Sequence, residues 1–171
     1  MTNGSFETGD FSGWTPFGNT VATGVTTLWW VGAPPTDGLY LAYFGAVGSL
    51  GGILQTSLAT VAGADYTISF DLGDLYTGPS EYTASFGSTV LTDVVNPQPF
   101  GWTRLSFTAT ATSDSTTLSL SFRQDPSYLV LDNVSVTAVP EPEEWAMLMM
   151  GIPLVGWQIR RKQANGARTI A

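Results

Sequence analysis

The feature that most constrains this chain is an alternation of apolar and polar side chains with a period of two. In the runs 66–72, 105–111 and 118–122, every second residue is aliphatic or aromatic, and the residues between carry hydroxyl, carboxylate or other small side chains. A strand with this pattern buries one face and leaves the other in water. The alternation therefore predicts half-buried β-strands at these three places.

The rest of the first 138 residues has the same character. Further strands are predicted at Val25–Val31, Leu39–Phe44, Ile53–Ala59, Tyr82–Phe86 and Ser127–Val136. Clusters of Gly, Pro, Asn, Asp and Ser separate the runs, as expected of turns, and no run has helical spacing. Eight or nine short strands at this spacing predict an all-β fold, an antiparallel β-sandwich of the jelly-roll kind, over residues 1–138.

One strand has an irregularity that singles out a carboxylate. Leu129 and Leu131 share a face, but the next apolar pair, Val134 and Val136, is shifted by one residue. A β-bulge at Asp132-Asn133 would absorb that shift. Asp132 then either faces water from an edge strand or needs a partner for its charge.

Charge and composition exclude several classes of function. Residues 1–139 contain eleven acids against Arg104 and Arg123, a net charge of −9, which disfavours nucleic-acid binding. An acidic surface of this kind can bind a divalent cation, or it can serve only to keep the protein soluble. The chain has no Cys and no His, which removes thiol catalysis, zinc sites of the usual kind and His-based triads.

A pair of carboxylates is the remaining route to catalysis, as in glycosidases. Asp71, Asp74 and Glu81 are close in sequence. However, Asp71 is predicted on the polar face of its strand, and the other two flank a Gly-Pro turn, where a solvated loop accounts for them. We therefore expect a non-catalytic protein.

The composition changes at Val139. Val139-Pro140-Glu141-Pro142 favours an extended backbone, and an apolar run over 145–159 comes next, closed by Arg160, Arg161 and Lys162. Acids before the run and bases after it favour a single C-terminal hydrophobic helix of about 22 Å, against a bilayer core of about 30 Å. Basic residues beside an apolar run predict that this end stays cytoplasmic. A helix docked on the domain is the alternative, and residues 163–171 are expected to be disordered.

The segment 139–162 resembles the PEP-CTERM sorting signal, which is also known as an ice-binding protein C-terminal domain. The Pro-Glu-Pro motif, the apolar helix and the basic cluster come in that family's order. The resemblance implies an exported protein that crosses the inner membrane, is recognised by an exosortase-type sorting enzyme, and reaches the cell surface or extracellular matrix of a Gram-negative bacterium. A permanently membrane-anchored protein is the alternative. No signal peptide is visible before the first motif, so we expect a leader to be encoded upstream of an incorrectly assigned start.

The first 138 residues resemble galactose-binding-like jelly rolls, which include carbohydrate-binding modules. The resemblance is carried by segments 3–7, 9–14 and 131–134. It implies a structural Ca²⁺ between Glu7 and Asp132, with backbone carbonyls near Asn3 and Ser5 completing the oxygen shell.

Sugar binding would in addition need exposed aromatic side chains on which a sugar can stack. The candidates are Trp29 and Trp30, followed by Tyr76 and Trp102, and the partner would be a polysaccharide. Trp14 and Trp102 each stand in a Gly-Trp-Thr step, which favours a structural role.

Overall fold

Ten β-strands form the part of the chain that the structure, a computed structural model, describes: residues 1–27 and 34–140. The strands are β1 (Thr15–Gly18), β2 (Thr23–Thr26), β3 (Leu41–Phe44), β4 (Gly51–Ala59), β5 (Asp65–Asp74), β6 (Ser80–Phe86), β7 (Thr89–Val95), β8 (Phe100–Thr110), β9 (Ser115–Gln124) and β10 (Leu129–Ala138). Within these ranges, no helix has the length and apolar character needed to cross a membrane. The predicted hydrophobic helix lies outside the described residues.

The strands make two five-stranded antiparallel sheets. Sheet A has the order β1-β4-β9-β6-β7, and sheet B has the order β2-β3-β10-β5-β8. Residues 1–138 form one compact unit, and its core lies between the inward faces of the two sheets. The predicted antiparallel β-sandwich is confirmed.

The predicted runs fall on observed strands, with two differences. The run predicted at Val25–Val31 is strand only as far as Thr26, and its residues 28–31 are not described. β1 and β7 were not predicted. β1 contains Pro16 and Gly18, which argue against a strand, and β7 does not alternate cleanly.

The core consists of the inward-facing apolar side chains of β3, β4, β5, β6, β9 and β10, together with Phe6 of the N-terminal segment. Its largest fully buried members are Phe6, Phe44, Phe70, Phe86, Phe122, Ile53, Ile68, Leu72, Leu118, Leu120 and Leu129. A buried side chain of this size stabilises the fold by about 1.5–3 kcal/mol relative to an exposed one.

The predicted bulge is present in β10. The pairing of β10 with β5 shifts between Asp132 and Ser135, and Asn133 has a φ of 51°. β10 lies between β3 and β5 rather than at an edge, and Asp132 is fully buried. The interpretation of Asp132 as an edge residue facing water is therefore wrong.

The N-terminal segment lies beside this last strand. The amide of Val134 donates a 2.9 Å hydrogen bond to the carbonyl of Gly4, and Phe6 is completely buried in the core. The first and last parts of the unit are therefore in contact, as the jelly-roll resemblance implies.

Candidate functional site

Part of the outer face of sheet B is covered by residues 34–40, which we call the cover segment. Leu41 and Val130 are on this outer face, and both are completely buried. Trp102 packs against them, and its indole Nε1 donates a 2.8 Å hydrogen bond to the carbonyl of Pro34. Trp102 therefore holds the cover segment on the sheet, which agrees with the structural role predicted for it.

Asp132 fixes the middle of the cover segment. Its Oδ2 accepts hydrogen bonds from the amides of Thr36 (2.7 Å) and Asp37 (2.9 Å) and lies 3.1 Å from the Thr36 hydroxyl. Its Oδ1 accepts the amide of Asn133 at 2.6 Å. Burial raises the pKa of Asp132 above its ordinary value, and these hydrogen bonds only partly oppose that effect.

Glu7 fixes the end of the same segment. Its Oε1 accepts the amides of Leu39 and Tyr40, each at 2.9 Å, and its Oε2 also lies 3.0 Å from the Leu39 amide. Gly38 has a φ of 66°, and a β-carbon there would overlap the Glu7 carboxylate. Only glycine therefore lets the backbone approach this carboxylate so closely. Ser5 adds a 2.7 Å hydrogen bond to the carboxylate of Asp37.

Asp71 connects the cover segment to the bulge. Its Oδ2 accepts the hydroxyl of Thr36 at 2.8 Å and the side-chain amide of Asn133 at 3.2 Å. Its Oδ1 is paired with Arg104 at 3.2 Å, and Arg104 also donates to the carbonyl of Asn133 at 2.7 Å. Asp71 is thus fully engaged in structural contacts.

Glu7 and Asp132, the residues of the predicted calcium site, therefore contact the same segment from two sides. A carboxylate has about four lone-pair positions: Oδ2 of Asp132 already accepts two N–H groups, whereas Oδ1 accepts one, so a cation could contact Asp132 only at Oδ1, beside the Asn133 amide. No group of three or more acidic, His or Cys side chains placed to hold a metal is found in residues 1–27 and 34–140. As placed, Glu7 and Asp132 fit a role in holding the cover segment by hydrogen bonds better than they fit a Ca²⁺ site. The calcium site stays a prediction.

The carboxylates considered for catalysis are not arranged for it. Asp74, expected in a solvated loop, is instead completely buried, and its Oδ1 accepts Gln124 Nε2 at 2.5 Å. That expectation is wrong because β5 continues to Asp74 and carries its side chain into the interior. Glu81 stands opposite Arg123 in the ladder between β6 and β9. A polymer could not reach Asp74, so the two-carboxylate arrangement of a glycosidase is not formed.

The outer face of sheet A carries polar side chains that are partly open to solvent and line up across its strands. One register row crosses all five strands in the order Phe17, Gly52, Ser121, Thr83 and Asp93, and we call it the cross-strand row. Ser121 and Thr83 alternate with buried core residues and are half-exposed, and Asp93 is exposed. The Thr83 hydroxyl donates to Asp93 at 3.2 Å, which places both side chains on the same face.

Gly52, which is buried, is required by close packing in the middle of this row. A β-carbon there would overlap the carbonyl oxygen of Leu120 on the neighbouring strand. This row was not predicted, because two of its five strands, β1 and β7, were not predicted. The Ser and Thr residues on the polar sides of β6 and β9 were the available signal.

The aromatic and sorting residues singled out from the sequence are in part buried, in part exposed and in part outside the described residues. Trp14 is 6% exposed and donates from Nε1 to the carbonyl of Asn3 at 3.0 Å, as expected of a structural residue. Tyr76 is 41% exposed. Trp29 and Trp30 lie outside the described residues. Val139 and Pro140 come directly after β10 and are exposed. Glu141 and Pro142 of the sorting motif, and the basic cluster Arg160, Arg161 and Lys162, also lie outside the described residues.

Comparison with solved structures gives matches among carbohydrate-binding modules. TmCBM61, solved in complex with β-1,4-galactotriose, matches with a TM-score of 0.59 and 16% identity over 81% of this chain and 97% of that one. A structure described as "CBM4 structure and function" matches with a TM-score of 0.56 and 16% identity over 81% and 99% of the two chains. The CBM22-1 xylan-binding domain of Paenibacillus barcinonensis Xyn10C matches with a TM-score of 0.53 and 15% identity over 80% and 92%.

These identities establish the fold alone, which is the jelly roll of carbohydrate-binding modules. No protein-family model matches the chain, and no curated protein matches it significantly.

Proposed function

We propose that residues 1–138 are a non-catalytic carbohydrate-binding domain that binds a polysaccharide across the outer face of sheet A. The observation that carries this proposal is the difference between the two outer faces. The cover segment lies over the outer face of sheet B around Leu41, Val130 and Asp132, whereas the cross-strand row leaves a polar path over all five strands of sheet A. The jelly-roll fold shared with carbohydrate-binding modules supports the same function.

The chemistry of the cross-strand row suits a sugar chain. Phe17 supplies an apolar ring at one end, against which the C–H face of a sugar can pack. Ser121, Thr83 and Asp93 supply hydroxyl and carboxylate groups for hydrogen bonds with sugar hydroxyls. The row thus combines one stacking position with several polar contacts.

Titration calorimetry against a panel of soluble polysaccharides tests the proposal. Galactan and xylan come first, since the similar modules include one solved with a galactotriose and one named for xylan. We expect the double variant Phe17→Ala with Asp93→Asn to weaken binding at least about 10-fold, a loss of about 1.4 kcal/mol. Thr108→Ala, an exposed hydroxyl on β8 of sheet B, is the matched control and should bind normally. Unchanged binding by the double variant, or no binding to any glycan, contradicts the proposal.

The tryptophans at 29 and 30 offer the other stacking position. A Trp29→Ala, Trp30→Ala variant, tested on the same polysaccharides, separates the two sites. Loss of binding in this variant alone would assign the sugar contact to the tryptophans and contradict the role of the cross-strand row.

We further propose that the protein is exported and sorted through residues 139–162. The support is the sequence order of the Pro-Glu-Pro motif, the apolar run and the basic cluster. An exosortase-type enzyme would recognise this tail during transit of the inner membrane, and the domain would then reach the cell surface or extracellular matrix. Mass spectrometry of the mature C-terminus tests this. A break near Pro140–Pro142 supports sorting, and an intact Ala171 supports a permanent anchor instead.

A further inference from the structure

A cluster of buried polar side chains lies between the two sheets, away from the cover segment and the cross-strand row. It consists of Asp74 at the end of β5, Ser80 at the start of β6 and Gln124 at the end of β9, which are 0%, 2% and 0% exposed. Asp74 belongs to sheet B and the other two belong to sheet A. The cluster therefore connects the sheets where these three strand ends meet.

One oxygen of each side chain lacks a hydrogen-bond partner. Asp74 Oδ2, Ser80 Oγ and Gln124 Oε1 are buried and bonded to no atom of the described protein. The three residues are neighbours, because Gln124 bonds to the Asp74 carboxylate and Ser80 stands directly opposite Gln124 in the ladder. Leaving such a buried atom unsatisfied costs about 1–3 kcal/mol, so three together indicate a missing partner.

The orientation of the Gln124 amide is fixed by its neighbours. Its nitrogen donates both to Asp74 Oδ1 at 2.5 Å and to the carbonyl of Tyr76 at 3.1 Å. A flipped amide would place its oxygen against two acceptors, so the flip is excluded. Gln124 Oε1 is therefore truly the oxygen left over, and it can only accept.

The charge of Asp74 also lacks a partner. The two ion pairs within the described ranges are Arg104 with Asp71 and Arg123 with Asp125. An ionised Asp74 with only an amide as its hydrogen-bond partner would be costly, because the charge would have lost its hydration without gaining a cation. A single water molecule could bridge the three oxygens, but it would supply no positive charge.

We propose that Asp74 Oδ2, Ser80 Oγ and Gln124 Oε1 bind a hard divalent cation of the Ca²⁺ class. All three are oxygen ligands, which such ions require, and the carboxylate supplies the charge. Water molecules would complete the shell of six to eight oxygens. This site is separate from the one predicted at Glu7 and Asp132, and its role is to tie sheet A to sheet B.

Calorimetry and thermal unfolding of the full chain, stripped with EDTA and then titrated with CaCl₂, test the site. We expect Ca²⁺ to raise the Tm, and Asp74→Asn to weaken this binding at least 10-fold. Ser80→Ala removes one neutral ligand and should weaken binding several-fold while leaving the fold intact. Asp114→Asn, on an exposed carboxylate, and Glu7→Gln are the controls and should keep the calcium response of this site.

The outcomes separate this site from its alternatives. A calcium response that survives Asp74→Asn unchanged but is lost in Glu7→Gln overturns the proposal and assigns the ion to Glu7 and Asp132. No response to calcium also overturns it and leaves the cluster with water only. In crystals grown with calcium, an ion within 2.3–2.6 Å of the three oxygens supports the site, and a water at longer hydrogen-bonding distance contradicts it.

Discussion

At the scale of single residues, the surroundings of each carboxylate decide what it does in this protein. The pKa of Asp125 is lowered, chiefly by its hydrogen bond with Arg123, and the pKa of Asp10 is lowered by its bonds with Ser12. Asp10 is exposed and Asp125 is partly buried. Burial instead raises the pKa of Asp132. The exposed acids contribute solubility, whereas Asp132 is part of the structural framework.

The raised pKa of Asp132 gives a prediction with a definite sign. The native state binds the proton of the Asp132 carboxyl more tightly than the unfolded state does. The stability that this protonation contributes is therefore complete below the unfolded pKa of Asp132, about 3.8. That contribution is lost as the pH rises through the native pKa. In EDTA, we therefore expect the unfolding free energy of the wild type, minus that of Asp132→Asn, to fall from pH 3 to pH 7. Urea unfolding at each pH measures the difference.

The same experiment in calcium tests the predicted site at Glu7 and Asp132. A bound Ca²⁺ favours the ionised carboxylate and lowers its pKa. If the ion binds there, the difference between wild type and Asp132→Asn will rise with pH rather than fall. If the difference in unfolding free energy between wild type and Asp132→Asn falls with pH both in EDTA and in calcium, the predicted calcium site is contradicted.

At the scale of elements, the sequence reports burial along one strand but not which strands are neighbours. The alternation in β5, β8 and β9 was enough to predict them, and the shift in β10 located the bulge at Asp132. The partners of Asp132 could not be predicted, because Thr36 is 96 residues away and lies in a segment that reads only as a turn. The cross-strand row likewise depends on the pairing register of five strands.

The cover segment offers a prediction with a matched control. Gly38 and Gly48 both have positive φ, 66° and 76°, but a β-carbon at Gly48 would meet nothing within 4 Å. Gly48→Ala should cost about 1 kcal/mol, the strain of a left-handed backbone alone. Gly38→Ala should cost at least about 3 kcal/mol, because it also displaces the Glu7 carboxylate from the amides of Leu39 and Tyr40. Denaturant unfolding measures both, and equal losses would contradict the role of Glu7.

At the scale of the whole molecule, the described core is complete within one unit. Its last fully or nearly buried apolar residue is Val134, four residues before β10 ends at Ala138. The N-terminal segment closes the unit by contacting Val134 and burying Phe6. The stability of this unit should therefore not depend on the residues after Ala138.

Two truncations test this independence. A chain that ends at Ala138 should unfold cooperatively with the Tm of the full chain, because it retains all ten strands and the bond between Gly4 and Val134. A chain that ends at Asp132 loses Val134 and the second half of β10, and we expect it to be unfolded. Circular dichroism melts distinguish the two. A large loss of Tm in the longer truncation would show that the tail contributes to the fold.

The cover segment on sheet B has a consequence for any surface that such domains would coat. If each domain lies on a polysaccharide fibre with its sheet A inward, every copy turns its cover segment outward. The cover segment carries the carboxylate of Asp37, and the carboxylate of Glu7 is bonded to its backbone. The surface of a neutral fibre would thereby become negatively charged. Neighbouring fibres would repel one another at low ionic strength and would approach more closely when salt screens the charge.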